Sequence, residues 1–434
     1  MQTVFGYRMG VKTVKAVKAK GGIHFGWFVV LMCFLIQGAA FGIVTNTRGL
    51  FFGPMCSELG VQLGELTRCY IFYAAATVVS IPIAAKAIPR ANLRVLLSVF
   101  GSVIALSVFL CGSCRMVYEV YILTAVQGLC TAFLVAMTTN LLVNNWIQKY
   151  KGLAFAFCGA SASIFGALFS IVANNMIIRH GWRSGFRTLG IIVFLMIVPA
   201  TACFAVFKPE NMGMHPYGWE ETEDAVNDGS SEKIVGVPKK DALRSASFVF
   251  LITGIFVSNL MAQVSQIFPG YGESIGLGTR AAYLTTTAML ASLALKLISG
   301  RVSDRAGVHR ALTDTNIVGA AGGLILLLFG TAAGIVPFIA CGLISAPVAV
   351  ASVLCPLWVM RIFGQRDFAA LMAYVQIATY LGTPLGVSLM GSIVDRGGYN
   401  AFRMACFVLV AILLVSSELS FVFSKRLKKS RVIS

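Results

Sequence analysis

Apolar runs separated by short polar or glycine-containing breaks follow one another through most of the chain. They fall near residues 24–46, 65–85, 93–113, 118–142, 153–178, 187–207, 246–268, 281–300, 313–333, 335–357, 369–393 and 402–424. Each is long enough to cross a ~30 Å hydrocarbon core as a helix. Because a bilayer offers the backbone no water, such runs must satisfy their own N–H and C=O groups, which a helix does and a lone strand does not. The short alternating segments of a β-barrel are absent. The pattern predicts an all-α membrane protein with twelve transmembrane helices.

One long hydrophilic stretch, residues 208–245, interrupts the series after the sixth run and holds eight of the 17 acids. This divides the chain into an N-terminal segment 1–23, a six-helix bundle 24–207, a linker 208–245, a second six-helix bundle 246–424 and a basic tail 425–434. The two bundles repeat. A single offset of 216 relates Arg94 to Arg310, Gly166 to Gly382, Gly181 to Gly397, Phe186 to Phe402 and Arg187 to Arg403. Parallel six-helix halves are a transporter architecture, with the substrate site between them at the membrane midplane.

Composition narrows the class. Of 434 residues, 57% are hydrophobic and only 12% charged, which excludes a soluble enzyme, a disordered protein or a secreted disulfide scaffold. The net charge of +18 becomes topology once the cations are sorted by side. With the N-terminus in the cytoplasm, 25 of the 35 Lys and Arg lie inside, nine lie outside or at the outer rim, and Lys296 lies within a span. Both termini are therefore expected to be cytoplasmic in a multi-pass cell-membrane protein, and the charge needs no nucleic-acid partner. Trp27, Trp146 and Trp358 at inner span ends, with Trp182 at an outer one, are expected to form an aromatic belt. The eleven cysteines sit mostly inside apolar runs and imply no disulfide framework. No metal spacing, phosphate loop, nucleophile elbow or dinucleotide fingerprint occurs, so neither an enzyme nor a cofactor is expected.

The loop after the eighth run reads Gly300-Arg-Val-Ser-Asp304-Arg305-Ala-Gly307-Val-His-Arg310 and resembles the loop signature of the major facilitator superfamily. The corresponding loop after the second run keeps Arg94 but lacks the aspartate. Gly26-Trp27, Gly49-Leu-Phe-Phe-Gly-Pro54, Asn145-Trp146 with Lys149-Tyr-Lys-Gly152, Gly181-Trp182-Arg183 and Pro209-Glu-Asn-Met-Gly213 together resemble its monocarboxylate-transporter-like and oxalate:formate antiporter-like branch. The resemblance implies a gating role for Asp304, Arg305, Gly300, Arg94 and Arg310. An aspartate beside arginines at a helix end can form charge-assisted hydrogen bonds across the gap between helices.

Polar residues inside the spans are the candidate substrate contacts. Helical spacing places Gln37, Tyr70 with Tyr73, Gln127, Asn259 with Gln263, and Tyr380 on polar stripes of their helices. Hydrogen bonding between helices is the competing role for each of them. Lys296 differs, because an ammonium in hydrocarbon costs at least ~2.5–3.5 kcal/mol on insertion scales. Counted from Gly300, it stands where the resembled family carries a substrate-binding arginine; snorkelling toward the cytoplasm is its alternative. Ser292 stands where proton-linked members carry an aspartate. Arg48 and Arg68 are placed at the outer mouth, where they would attract anions or anchor the interface. The expectation is a monomeric alternating-access transporter of a small mono- or dicarboxylate. A carrier of a neutral or amphipathic compound and a transport-inactive receptor on the same fold are the alternatives.

Overall fold

The computed structural model describes residues 24–61, 63–219, 236–331 and 334–432. The expected segment 1–23 and residues 220–235 of the linker lie outside the described residues.

Nine helices among the described residues are long and apolar enough to cross a membrane. They are α1 (Phe25–Ile43), α3 (Glu65–Ala87), α4 (Leu93–Cys111), α5 (Val117–Trp146), α6 (Lys151–Phe204), α7 (Ala246–Gln266), α9 (Val308–Phe329), α10 (Val336–Phe363) and α11 (Phe368–Ser424). A short α2 (Gly49–Leu59) follows α1. At 1.5 Å per residue, the 54-residue α6 and 57-residue α11 would each run to about 80 Å, far more than one crossing. Each is broken where a glycine leaves helical geometry: Gly181 at φ 78° and Gly398 at φ 64°. Only glycine adopts that region without a Cβ penalty, so each break turns one run of helix into two crossings. The remaining crossing is α8 (Ala282–Ala306), whose 25 residues carry Lys296, Arg301, Asp304 and Arg305. The twelve expected crossings are therefore present. The repeat slips by one residue at the second break, since the left-handed glycine is Gly398 and not the Gly397 that pairs with Gly181 at the common offset.

The linker is pinned to each half where it enters and leaves. The Tyr217 amide donates to the Trp146 carbonyl at 2.8 Å, and the Val237 amide donates to the Phe363 carbonyl at 2.8 Å. The end of the bundle carrying these contacts is called here the linker end.

The aromatic-belt expectation is corrected at three of its four tryptophans. Trp146 and Trp358 are fully buried, and Trp182 is 3% exposed. Their indole N–H groups bond inside the protein: Trp146 to the Val206 carbonyl at 2.8 Å, Trp358 to Ser420 Oγ at 2.9 Å and Trp182 to Glu58 Oε2 at 2.5 Å. A ring whose polar atom finds a protein partner gains nothing from the lipid headgroups.

Glu58 also accepts from Arg183 Nε at 3.0 Å, fastening α2 to the break of α6 at the end opposite the linker. The Trp182 indole first and the Arg183 guanidinium second hold the Glu58 carboxyl below the usual carboxylate range. A depressed folded-state pKa contributes stability that is present above the unfolded value and is lost as pH falls through the folded one. The contribution is small because the carboxylate is exposed. Wild type is expected to melt slightly higher than Glu58→Gln at neutral pH, and the two melting curves should converge below the carboxylate range. A constant gap at all pH values would contradict this.

Candidate functional site

Two buried cations occupy opposite halves of the bundle. Lys296 on α8 is 5% exposed, and its ammonium donates to the Gly159 carbonyl at 3.3 Å and to Ser163 Oγ at 3.4 Å, both on α6. These bonds are long for an ionised donor, which prefers about 2.7–2.9 Å. The ammonium thus points across the seam between the halves and does not snorkel. Ser292, one turn away, turns its hydroxyl to the Met289 carbonyl at 2.8 Å.

Arg48 is the second buried cation, covered where an open rim residue was expected. It is 5% exposed. Gly38–Ile43 widens into a π-helical segment and residues 44–48 turn, and the neighbouring helices cover Arg48 there. The guanidinium then lies 5.4 Å from the ring centres of both Tyr70 and Tyr73, and Nη2 donates to Gln127 Oε1 at 2.5 Å. Aromatic faces and an amide oxygen stabilise a buried cation without neutralising it. Arg68 is exposed at the start of α3.

The structure therefore gathers Tyr70, Tyr73 and Gln127 around one cation. Tyr73 donates to Thr131 Oγ1 at 3.0 Å, and Tyr380 on α11 is buried in the other half. Asn259 is elsewhere engaged: its amide donates to the Ile255 carbonyl at 2.8 Å and to Thr379 Oγ1 at 3.4 Å, the helix-to-helix role. Gln263 is half-buried beside Gly386. Gln37 Oε1 is buried on α1 with no hydrogen-bond partner.

Among the described residues neither buried cation has an ion-pair partner. The three ion pairs, Arg183 with Glu58, His309 with Glu418 and Arg310 with Asp314, lie away from both. Glu418, in the last apolar run, is taken up by His309 Nε2 at 2.9 Å and by the Thr313 hydroxyl at 2.6 Å. No group of three or more His, Cys, Asp or Glu is gathered to hold a metal among the described residues.

At the linker end the halves touch through backbone. Asp304 Oδ1 accepts from the Gly152 amide at 2.7 Å and Oδ2 from the Leu153 amide at 2.8 Å. These amides open α6, where Tyr150 is left-handed at φ 66° and offers no side-chain cap. The first amides of a helix lack intrahelical partners and carry partial positive charge. A carboxylate from the other half supplies the missing cap. The loop's arginines are not its partners: Arg305 and Arg94 are exposed, and Arg310 pairs with Asp314 at 3.3 Å. Beside this cap Gly152 and Gly300 face each other, and a Cβ on Gly152 would stand 2.2 Å from the Gly300 carbonyl oxygen.

Gly159, Ser163 and Leu153 are the contacts that helical spacing missed. Two act through backbone atoms, which leave no trace in residue type.

Comparison with known proteins follows the same lines. The model of the Major Facilitator Superfamily matches residues 23–355. Monocarboxylate transporter 4 of Rattus norvegicus is 22% identical over 275 residues, covering 62% of this chain and 55% of that protein. The Gallus gallus protein of the same name is 23% identical, covering 66% and 59%. The matches thus span a little over half the length of these relatives. The MFS-type transporter hasB of Aspergillus fumigatus is 24% identical over 427 residues, covering 93% and 90%. Among solved structures, the proton:xylose symporter XylE bound to 6-bromo-6-deoxy-D-glucose superposes with a TM-score of 0.73 at 13% identity, over 92% of this chain and 96% of that one. That likeness concerns the fold.

Proposed function

The chain belongs to the major facilitator superfamily, and from that premise we propose that it is a secondary transporter moving a small organic anion, a carboxylate, by alternating access. The observation that carries the reading is Lys296: a buried ammonium at the seam of two halves, held by two long hydrogen bonds and no carboxylate. Ions are retained in a membrane interior for function because their desolvation is costly. A substrate carboxylate would supply the missing countercharge when the seam opens, exchanging weak neutral contacts for a charge-assisted bond. The monocarboxylate transporters among the relatives agree with an anionic substrate. Tyr73 and Tyr380, buried one in each half, would wall the path.

In this reading the linker end is the cytoplasmic side. The Asp304 cap and the Gly152 to Gly300 contact close that side, and their separation lets the halves rock. Two arrangements of one packed interface are the usual basis of such a switch. Among the described residues no acid partners Lys296 to form a proton relay, and exchange or passive passage fits that arrangement better than proton-driven export.

The test is counterflow in proteoliposomes of the purified protein against a panel of carboxylates, sugars and nucleosides. Accumulation of a labelled carboxylate, driven by unlabelled carboxylate inside, is expected. Counterflow of sugars or nucleosides with none of any carboxylate would replace this reading with that of a neutral-solute carrier. A ligand that raises the melting temperature but never crosses would indicate a receptor.

A further inference from the structure

We propose that Cys111 and Cys114 are an oxidisable dithiol, which hydrogen peroxide closes reversibly to a disulfide at the end of the bundle opposite the linker. The site is independent of which substrate the protein carries.

The sequence Cys111-Gly-Ser-Cys114 closes α4, and both cysteines are free thiols. The backbone leaves the α-helix there through three successive bonds between residues three apart. The Gly112 amide donates to the Phe109 carbonyl at 3.1 Å, Ser113 to Leu110 at 2.8 Å and Cys114 to Cys111 at 3.4 Å. In that tighter winding side chains three apart eclipse, and three steps of about 2.0 Å set their Cα atoms about 6 Å apart. A disulfide spans Cα atoms about 4.4–6.8 Å apart. The turn thus holds both sulfurs where a bond can form without moving the backbone, and the two thiols are hydrogen-bonded to each other.

The surroundings suit the chemistry. Arg183 Nη1 donates to the Cys114 carbonyl at 2.8 Å and Arg187 Nη2 to Ser113 Oγ at 3.4 Å, so two cations just past the break of α6 brace the turn. The hydrogen bond with Cys111 first, and the Arg183 charge against the opposing effects of burial and of Glu119, hold the Cys114 thiol below the usual thiol range. A thiol beside cations ionises more readily, and the thiolate is the nucleophile. Cys114 attacks one peroxide oxygen: an S–O bond forms as the O–O bond breaks, giving a sulfenic acid and a hydroxide that the thiol's proton turns into water. Cys111 then attacks that sulfur, the S–S bond forms, and the second oxygen leaves as water with the Cys111 proton. Two thiols lose two electrons and one peroxide gains them. Cys111 and Cys114 are 3% and 2% exposed, but their neighbours Ser113, Arg115 and Met116 are exposed, so the cover is thin enough for a reagent close to water in size. On the inner side Cys111 Sγ accepts from Gln127 Nε2 at 3.5 Å, and Gln127 holds Arg48. The dithiol therefore lies one side chain from a buried cation.

The experiment exposes the purified full chain to hydrogen peroxide, blocks the remaining thiols with N-ethylmaleimide in denaturant and weighs the peptides before and after dithiothreitol. In wild type the peptide carrying Cys111 and Cys114 is expected to lose both alkylation sites together and to weigh two hydrogens less than its reduced form. Dithiothreitol should return both sites. In Cys111→Ser the Cys114 sulfenic acid has no second thiol to resolve it and should be trapped by dimedone. The melting temperature of that variant shows whether it folds, and the wild-type measurement stands without it. Full alkylation of both residues after a peroxide dose that oxidises the exposed Cys203 overturns the proposal. So does their loss only as sulfinic or sulfonic acids, or a disulfide joining either of them to a different cysteine.

Discussion

Lys296→Gln is expected to reduce carboxylate counterflow to background while leaving the protein folded. Glutamine keeps most of the stem but ends one bond short of the ammonium, whose bonds to the Gly159 carbonyl and Ser163 are already long, so the packing between α8 and α6 loses little by the change. The buried charge disappears, and with it the desolvation cost that the ammonium imposes on the folded state. The melting temperature should therefore stay level or rise. Transport should move the other way. Removing one member of a buried charge pair typically costs about 2–5 kcal/mol, a loss of roughly 30-fold to several thousandfold in anion affinity. Lys296→Arg, which restores the residue type of the resembled family, should keep transport and tighten binding through its fork. The opposite movements of stability and transport are the decisive reading. Unchanged uptake of every accepted carboxylate would remove Lys296 from the site, and a fall in both quantities would make it a structural residue.

Gly152→Ala is expected to hold the linker end open. The added Cβ would meet the Gly300 carbonyl oxygen at 2.2 Å and Asp304 Oδ1 at 3.0 Å. The first neighbour is backbone and cannot rotate away, so the halves must separate there. Overpacking of this kind costs about 1–3 kcal/mol. Applied to an equilibrium between two packed states, that shifts the populations by roughly five- to 150-fold away from the state seen here. Gly300→Ala meets the reciprocal obstacle, the Gly152 carbonyl at 2.5 Å, and should act in the same direction. Asp304→Asn should act more weakly, since the amide retains one oxygen to accept from the opening of α6 but loses the charge that favours a helix N-terminus. Spin labels on cysteines placed at Lys86 and Arg305, both exposed on opposite halves at this end, would report the separation. Cys203, the exposed native cysteine among the described residues, would be replaced first. A longer mean distance in both glycine variants is expected. An unchanged distribution would show that these contacts do not set the balance between states.

The candidate site was legible in part. Lys296 stood out because one charge in an apolar run is costly wherever it points. Tyr70, Tyr73 and Gln127 followed from helical spacing, which holds as long as a helix is regular. Spacing along α1 gave the place of Arg48 in the chain but not the helices that cover it, so it was read as an open rim residue. Asp304 was visible as an anion at a helix end, but its partners are amides, and an amide looks alike under every residue name. The tryptophans misled for a related reason: an indole at a span end suits a headgroup or a carbonyl equally, and only the neighbouring helix decides between them.

What the sequence determined by itself is therefore what a bilayer imposes on any chain: twelve crossings, two repeated halves, and the near absence of charge between them. Those follow from the cost of polar groups in hydrocarbon, which depends on composition along the chain. The tertiary structure alone decided which half each buried cation serves, that Arg48 is enclosed by Tyr70, Tyr73 and Gln127, and that Gly152 meets Gly300 without room for a methyl group. These depend on backbone breaks and on distances between helices far apart in the chain, which no periodicity within one helix encodes.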